Sequence, residues 1–274
     1  MKIATVGKGG SGKTTIAGTL ARVLAGSGIQ VLAIDGDPNP NLAITLGIDR
    51  DTSSAIRSIP SSVMAVRQED DGTRKLYMTM SQSELLADYG TQAPDGIKLV
   101  TMGKPPDGSA GSGCMCASHR AVRGLITELS GSNEHTVTDM EAGLEHLKRG
   151  TARNVDVMLV VAEPYYRSLE AAQRTWSLAN ELEIPHIFVI SNKVKNDADR
   201  AAVKEFCAKY DMEVIGEVSF EEKFVEAERN AQAPFDYDSE SEGVNSIREI
   251  AERLKKLKDP SDGSASFGEQ ASPT

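Results

Sequence analysis

Residues 7–15 read Gly-Lys-Gly-Gly-Ser-Gly-Lys-Thr-Thr, which is a G-x-x-x-x-G-K-T phosphate-binding loop. The apolar run Ile3–Val6 precedes it and a helical pattern begins at about Lys13, the strand–loop–helix setting that the motif requires. Glycines let the backbone curl so that successive N–H groups converge on an anion, and the helix N-terminus adds partial positive charge. Gly9, Gly10, Ser11, Gly12, Lys13, Thr14 and Thr15 are therefore candidate nucleotide contacts. Lys13 is placed to reach the β- and γ-phosphates, and the Thr14 hydroxyl to sit on Mg²⁺. A glycine-rich turn before an ordinary helix is the plain alternative, disfavoured because the motif is complete and in context. A second lysine, Lys8, comes so early in the loop that it is poorly placed to serve its own phosphates.

Carboxylates follow at the ends of other apolar runs. Asp35 and Asp37 lie just past Val31–Ile34. Hydrolysis needs a water held in line with the leaving oxygen, and a carboxylate at a strand end facing the loop can orient it. The competing reading makes Asp37 the cap of a helix after Pro38. Asp139 ends the run Thr136–Thr138, and a strand-terminal aspartate is the usual Mg²⁺ partner in phosphate-loop proteins. Gly143, shortly after it, supplies freedom for a loop that swings when the γ-phosphate is lost. Asn192 follows Ile187–Ile190. Its paired donor and acceptor can read adenine, against the alternative of a turn residue.

Cys114 and Cys116 flank Met115 in a glycine-rich stretch, before a helical pattern near 118–129. Cysteines at i and i+2 in extended backbone point the same way, and a helix N-terminus favours thiolate. One pair cannot complete a four-ligand site, but two copies across a two-fold axis can. Zn²⁺, Ni²⁺ or Cu⁺ suits such thiolates, and a dimer-bridging iron–sulfur cluster is the other chemical option. Two reduced loop thiols are the plain alternative. His119 reads as a helix-face histidine or an extra ligand, and Cys207, beside Phe206, as a core thiol.

The elements that must position these groups alternate. Strand-like runs at 3–6, 31–34, 97–102, 136–138, 157–161, 187–190 and 213–218 are separated by helical patterns near 13–25, 168–181 and 198–209. That order predicts an α/β fold, a mostly parallel sheet with helices on both faces and ligands at the strands' carboxyl ends. Residues 51–96 are polar and turn-rich and read as an insertion, with a strand or hairpin near Lys75–Met80. Val244, Ile247, Ile250, Ala251 and Leu254 mark a helix within 239–258 that packs back on the sheet. The expected organisation is one phosphate-loop domain over 1–258 and a disorder-like tail at 259–274. A chain of 274 residues with 39% hydrophobic content can bury a real core, and its net charge of −10 argues against non-specific nucleic-acid binding. There is no apolar run long enough to span a membrane. The N-terminus leads straight into the first strand, leaving no room for a signal peptide, and three cysteines make no disulfide framework. The expected setting is cytoplasmic and reduced.

The double-lysine loop K-G-G-x-G-K-T-T resembles the deviant-Walker ATPases, the group of MinD, ParA and the nitrogenase iron protein. The resemblance implies ATP hydrolysis by a face-to-face homodimer in which Lys8 crosses to the partner's nucleotide. It assigns the water-orienting role to Asp37, the second aspartate of Asp35-Gly36-Asp37-Pro38, and leaves Asp35 to structure or the outer Mg²⁺ shell. Asp139-Met-Glu-Ala-Gly matches the second switch. The family's Ile-Pro-Tyr-Asp-like stretch has no match at Glu217–Phe220. A closer resemblance joins the 7–15 loop, Asp35–Leu42, Gly113-Cys-Met-Cys116, the run 139–152 and Val161–Ala172: these are similar to the carbon monoxide dehydrogenase maturation ATPases, the CooC family. That likeness implies an ATP-dependent dimer that carries nickel to a client metalloenzyme such as carbon monoxide dehydrogenase. Two rivals stand beside it. One is a MinD/ParA-type switch that times binding to a protein, membrane or DNA partner; its basic residues Arg248, Arg253, Lys255, Lys256 and Lys258 lead into a tail whose one bulky apolar anchor is Phe267. The other is a redox protein with a dimer-bridging cluster.

Overall fold

A computed structural model of the chain describes residues 1–68, 72–102, 135–144 and 152–257, with Gly124, Ile126 and Leu147. Strand β1 (Lys2–Gly7) leads through the phosphate loop into helix α1 (Lys13–Gly26), then β2 (Val31–Gly36) and the short helices α2 (Leu42–Leu46) and α3 (Arg50–Ser54). Next come β3 (Met64–Gln68), β4 (Arg74–Met78), α4 (Gln82–Tyr89), β5 (Thr91–Gln92) and β6 (Lys98–Thr101). Strands β7 (His135–Met140) and β8 (Val157–Ala162) precede α5 (Tyr166–Glu181), β9 (His186–Val194) and α6 (Asp197–Lys209). The described chain closes with β10 (Val214–Ser219), α7 (Glu222–Arg229), α8 (Pro234–Tyr237) and α9 (Glu242–Lys255).

The principal sheet has eight strands in the order β10-β9-β8-β1-β7-β2-β6-β5. All pairings are parallel except that of β5 with β6. A parallel sheet buried on both faces needs apolar residues at every position, not at alternate ones. Strand β8, Val-Met-Leu-Val-Val-Ala, is accordingly buried throughout. Its alternation sorts side chains between two cores: Met158, Val160 and Ala162 face one, and Val157, Leu159 and Val161 the other. The first core takes in Leu169, Ala172, Val203 and Cys207 of α5 and α6, and the second takes in α1 and α9. The expected C-terminal helix is α9, with Val244, Ile247, Ile250, Ala251 and Leu254 all buried.

Residues 51–96 hold more regular structure than their polar composition suggests. Met64↔Met78 to Gln68↔Arg74 form an antiparallel hairpin whose second strand covers most of the predicted 75–80 piece. Helix α4 opens on a reciprocal capping box, the Ser81 hydroxyl accepting from Glu84 N and the Glu84 carboxylate from Ser81 N. Its Leu85 is fully buried. Strand β5 extends the main sheet at its edge.

A buried cation ties this stretch to the core. The Arg22 side chain of α1 is 5% exposed and donates to Asp95 Oδ2 at 2.7 Å and Asp236 Oδ1 at 2.7 Å. It also donates to the Leu46 carbonyl at 2.9 Å, and its guanidinium lies 4.8 Å from the Phe235 ring centre. One side chain thus joins α1, the end of α2, the turn before β6 and α8. Both aspartates keep a third or more of their exposure and can be rehydrated, so most of the cost of losing Arg22 is lost packing and the orphaned Leu46 carbonyl. Arg22→Ala is expected to lower unfolding free energy by about 2 kcal/mol, measured by urea denaturation; an unchanged midpoint would mean the network adds no net stability.

Candidate functional site

The phosphate loop is shaped from behind. Three of its carbonyls accept side-chain hydrogen bonds: that of Lys8 from Lys13 Nζ at 3.4 Å, that of Gly10 from Lys193 Nζ at 2.5 Å, and that of Ser11 from Asn192 Nδ2 at 2.7 Å. In a trans peptide the N–H points opposite to the carbonyl, so tying Lys8 O and Ser11 O turns the Gly9 and Gly12 N–H groups away from these partners. Gly12 has φ of 94°, and any Cβ there would collide with Asn192 Nδ2. Gly7 is equally constrained, because its Cβ would lie 2.5 Å from the Val161 carbonyl of the neighbouring strand. Helix α1 then begins at Lys13 with no side-chain cap and no acidic residue in its first turn. Its leading N–H groups, at Lys13, Thr14 and Thr15, are the kind that a phosphate satisfies.

The carboxylates meet at the ends of two adjacent strands, β2 and β7, beside β1. Register pairs Thr5 with Asp139 and Asp139 with Asp35. The Asp139 carboxylate accepts from Thr14 Oγ1 at 2.5 Å and Thr5 Oγ1 at 3.2 Å. Burial pushes Asp139 up to about 6, against the Thr14 hydrogen bond and the Lys13 charge. Asp35 is raised further, to about 7, by burial and by Asp139 beside it. Its two oxygens accept from Leu42 N at 2.9 Å and Asp37 N at 3.2 Å. Asp35, not Asp37, therefore holds the first N–H of α2. Asp37 does not cap a helix after Pro38: α2 begins at Leu42, and Asp37 Oδ1 instead accepts from Asn39 N at 2.8 Å. Asp37 is half-buried, and its charge acts on both Asp35 and Asp139. The Asp139–Gly143 segment reaches the loop as well, since a Cβ on Gly9 would touch Ala142 at 3.8 Å. Gly143 has φ of 101°.

The remaining neighbours are a lysine–tyrosine–glutamate–lysine chain. Lys8 Nζ lies 3.4 Å from Tyr165 Oη and 5.1 Å from the centre of its ring. Tyr165 Oη donates to Glu163 Oε2 at 2.6 Å, and Lys193 Nζ donates to Glu163 Oε1 at 3.1 Å. The hydrogen bond to Glu163, with burial, pushes the Tyr165 phenol up to about 12.

Residues 2–235 match the family described as the CobQ/CobB/MinD/ParA nucleotide binding domain. The chain belongs to this family. Among its relatives, the carbon monoxide dehydrogenase accessory protein CooC of Rhodospirillum rubrum is 36% identical over 86% of this chain and 90% of its own. An ATP-binding protein of Methanocaldococcus jannaschii is 35% identical over 94% of this chain and 99% of its own. Among solved structures, the cell division ATPase MinD of Pyrococcus furiosus superposes with a TM-score of 0.71 at 18% identity, covering 94% of this chain and 99% of that one. The septum site-determining protein MinD of Pyrococcus horikoshii, complexed with Mg-ADP, gives 0.68 at 18% identity, covering 93% and 96%. The chain is thus a P-loop ATPase of the MinD/ParA type, similar in sequence to CooC.

For such an ATPase the arrangement fits ATP and magnesium. The Thr14 hydroxyl and the Asp139 carboxylate are hard oxygen donors side by side, with Asp35 in the next strand; a bound magnesium would neutralise charge between the nucleotide's phosphates. Lys13 and the loop N–H groups are the donors that would orient a bound nucleotide's phosphates. Asn192, expected at the adenine, donates to the loop itself through Nδ2. No motif in the sequence gives Lys193, Glu163 or Tyr165 a role. Apart from the local Tyr165–Glu163 pair, their partners lie between 30 and 183 residues away, and no local spacing signals such pairs. Cys114, Cys116 and His119 lie outside the described residues. Among the described residues there is no cluster of three or more His, Cys, Asp or Glu that could hold a metal, and no helix long and apolar enough to cross a membrane. Cys207 is a buried thiol, pushed up to about 11 by burial, as expected for a core position.

A pH dependence follows from the raised carboxyls. The folded chain keeps protons on Asp35 and Asp139 above the ordinary carboxylate range, where the unfolded chain has lost them, so stability falls as pH rises from about 4 to about 7. Asp35→Asn should flatten the upper part of that fall in nucleotide-free protein, read as urea midpoints across the range. A variant whose midpoints fall as steeply as the wild type's would contradict it.

Proposed function

We propose that this chain is a cytoplasmic, ATP-hydrolysing homodimer that acts as a metallochaperone-like maturation factor, delivering nickel to a carbon monoxide dehydrogenase-type metalloenzyme. The observation that carries the reading is the likeness to the Rhodospirillum rubrum accessory protein, 36% identical over nearly the length of both chains. The loop chemistry agrees with it: Lys13 already serves its own cradle, whereas Lys8 extends its amine to Tyr165 instead.

In this reading ATP binds at Gly9–Thr15 with Asn192 at the adenine and magnesium at Thr14, Asp139 and the outlying Asp35. Lys8 of each subunit completes the other's site, and Asp37 orients the attacking water. Closure brings the two Cys114/Cys116 pairs together as a four-thiolate site for Ni²⁺, with Zn²⁺ as a competitor. Loss of the γ-phosphate loosens the Asp35–Pro40 and Asp139–Gly143 segments, and the metal passes to the client. Coupling of this kind is reciprocal, so nickel tightens the ATP dimer by the factor by which ATP tightens nickel.

The test is nickel content and mass of anaerobically purified protein, with and without a non-hydrolysable ATP analogue. The expected result is about half a nickel per chain in a nucleotide-dependent dimer. Cys114→Ser with Cys116→Ser should abolish nickel binding and leave the dimer, and Lys8→Ala should lower hydrolysis about a hundredfold or more. A dimer that forms with the analogue yet binds no nickel would replace this reading with a MinD/ParA-type nucleotide switch.

A further inference from the structure

We propose that Tyr165, anchored on Glu163, is a latch that keeps Lys8 within its own subunit until a second copy binds. The inference deepens the proposed function and rests on it in one respect, that Lys8 acts across a dimer interface. Tyr165 engages the lysine with its hydroxyl end, the oxygen at 3.4 Å from Nζ and the ring centre at 5.1 Å. The hydroxyl proton is committed to Glu163 Oε2 at 2.6 Å. The oxygen can therefore only accept, and an ammonium can only donate. Glu163 fixes the direction of the whole arrangement.

Glu163 is itself held. Its side chain is 12% exposed, it accepts from Lys193 Nζ at 3.1 Å, and its backbone N–H donates to the buried Ser168 hydroxyl at 2.9 Å. Lys193 continues to the Gly10 carbonyl at 2.5 Å. The chain Lys8–Tyr165–Glu163–Lys193–Gly10 thus leaves the phosphate loop at one residue and returns to it two residues later. Phosphate seated between those ends is felt at both.

Tyr165 is also placed for the exchange. It precedes α5 as a cap residue whose side chain makes no capping bond. Tyr165 is 43% exposed and its neighbour Tyr166 is 69% exposed, beside the loop. An exposed ammonium–ring contact is weak, worth roughly threefold in an equilibrium. A phosphate offered by a second subunit is a charge-assisted partner and displaces it. Two latches open for each dimer formed, so the dimer is weakened about tenfold relative to a chain without them.

The experiment measures the dimer dissociation constant by sedimentation at saturating non-hydrolysable ATP analogue. Tyr165→Ala is expected to tighten the dimer about tenfold. Tyr165→Phe, which keeps the ring but loses the anchor, should fall between it and wild type. Tyr166→Ala, whose ring does not meet Lys8, should not tighten it. In nucleotide-free monomer labelled with ¹³C-lysine, the Lys8 Cε signal should carry a ring-current shift that Tyr165→Ala removes. A Tyr165→Ala dimer as weak as wild type, or weaker, overturns the latch while leaving the dimeric ATPase intact. An unshifted Lys8 signal in the wild-type monomer overturns it independently of the dimer. Wild-type protein that stays monomeric with the analogue overturns the dimeric reading, and the latch with it.

Discussion

The carbonyls of the phosphate loop are held from behind, and the rest of the site depends on that hold. A loop of glycines has many conformations, and only a few turn consecutive N–H groups toward one point. Lys13, Lys193 and Asn192 select among them by occupying the carbonyls of Lys8, Gly10 and Ser11. Two of these donors, Lys13 and Lys193, are charged, and hydrogen bonds with one ionised partner contribute about 1.5–3 kcal/mol each. Two of the three donors come from the end of β9, a strand that reaches the loop because the sheet runs β9-β8-β1. Strand order, set by apolar packing on both faces, is therefore what brings Asn192 and Lys193 to a loop more than 180 residues earlier.

The second constraint is electrostatic. Asp35 and Asp139 are buried side by side at strand ends, and their charged forms are disfavoured by burial and, at Asp35, by the neighbouring carboxylate. Thr14, Thr5 and the Leu42 and Asp37 N–H groups offset part of this. A buried acidic pair is a poor choice for stability alone, but it suits a site completed by a cation and a nucleotide. The family's magnesium chemistry and the raised carboxyls thus share a cause: the strands must end in carboxylates, and the fold must cover them.

Much of this was legible in the residues. The loop motif and its flanking runs located β1 and α1, and continuous apolar stretches located β2, β8 and the buried part of β9, because parallel strands buried on both faces leave no alternation to misread, whereas β7 and the edge strand β10 show only as shorter, more polar runs. Helix α4 is not legible although Ser81 and Glu84 spell a capping box, since its exposed face and the polar hairpin before it dominate the composition of 51–96. The role of Asp35 at the start of α2 was not legible, because the helix begins four residues later than Pro38 suggests. Tyr165 and Glu163 were hidden for a different reason: their importance lies in a contact with Lys8 across 157 residues, which only the folded sheet creates.

The central claim is that one chain's site is incomplete and a second copy finishes it. Specific ATPase activity measured against protein concentration tests this most directly. The account predicts that activity per chain rises with concentration and levels off where the nucleotide-bound dimer saturates, because each subunit depends on the other's Lys8. Activity per chain that stays constant from far below that range to far above it would contradict the account and assign hydrolysis to the single subunit.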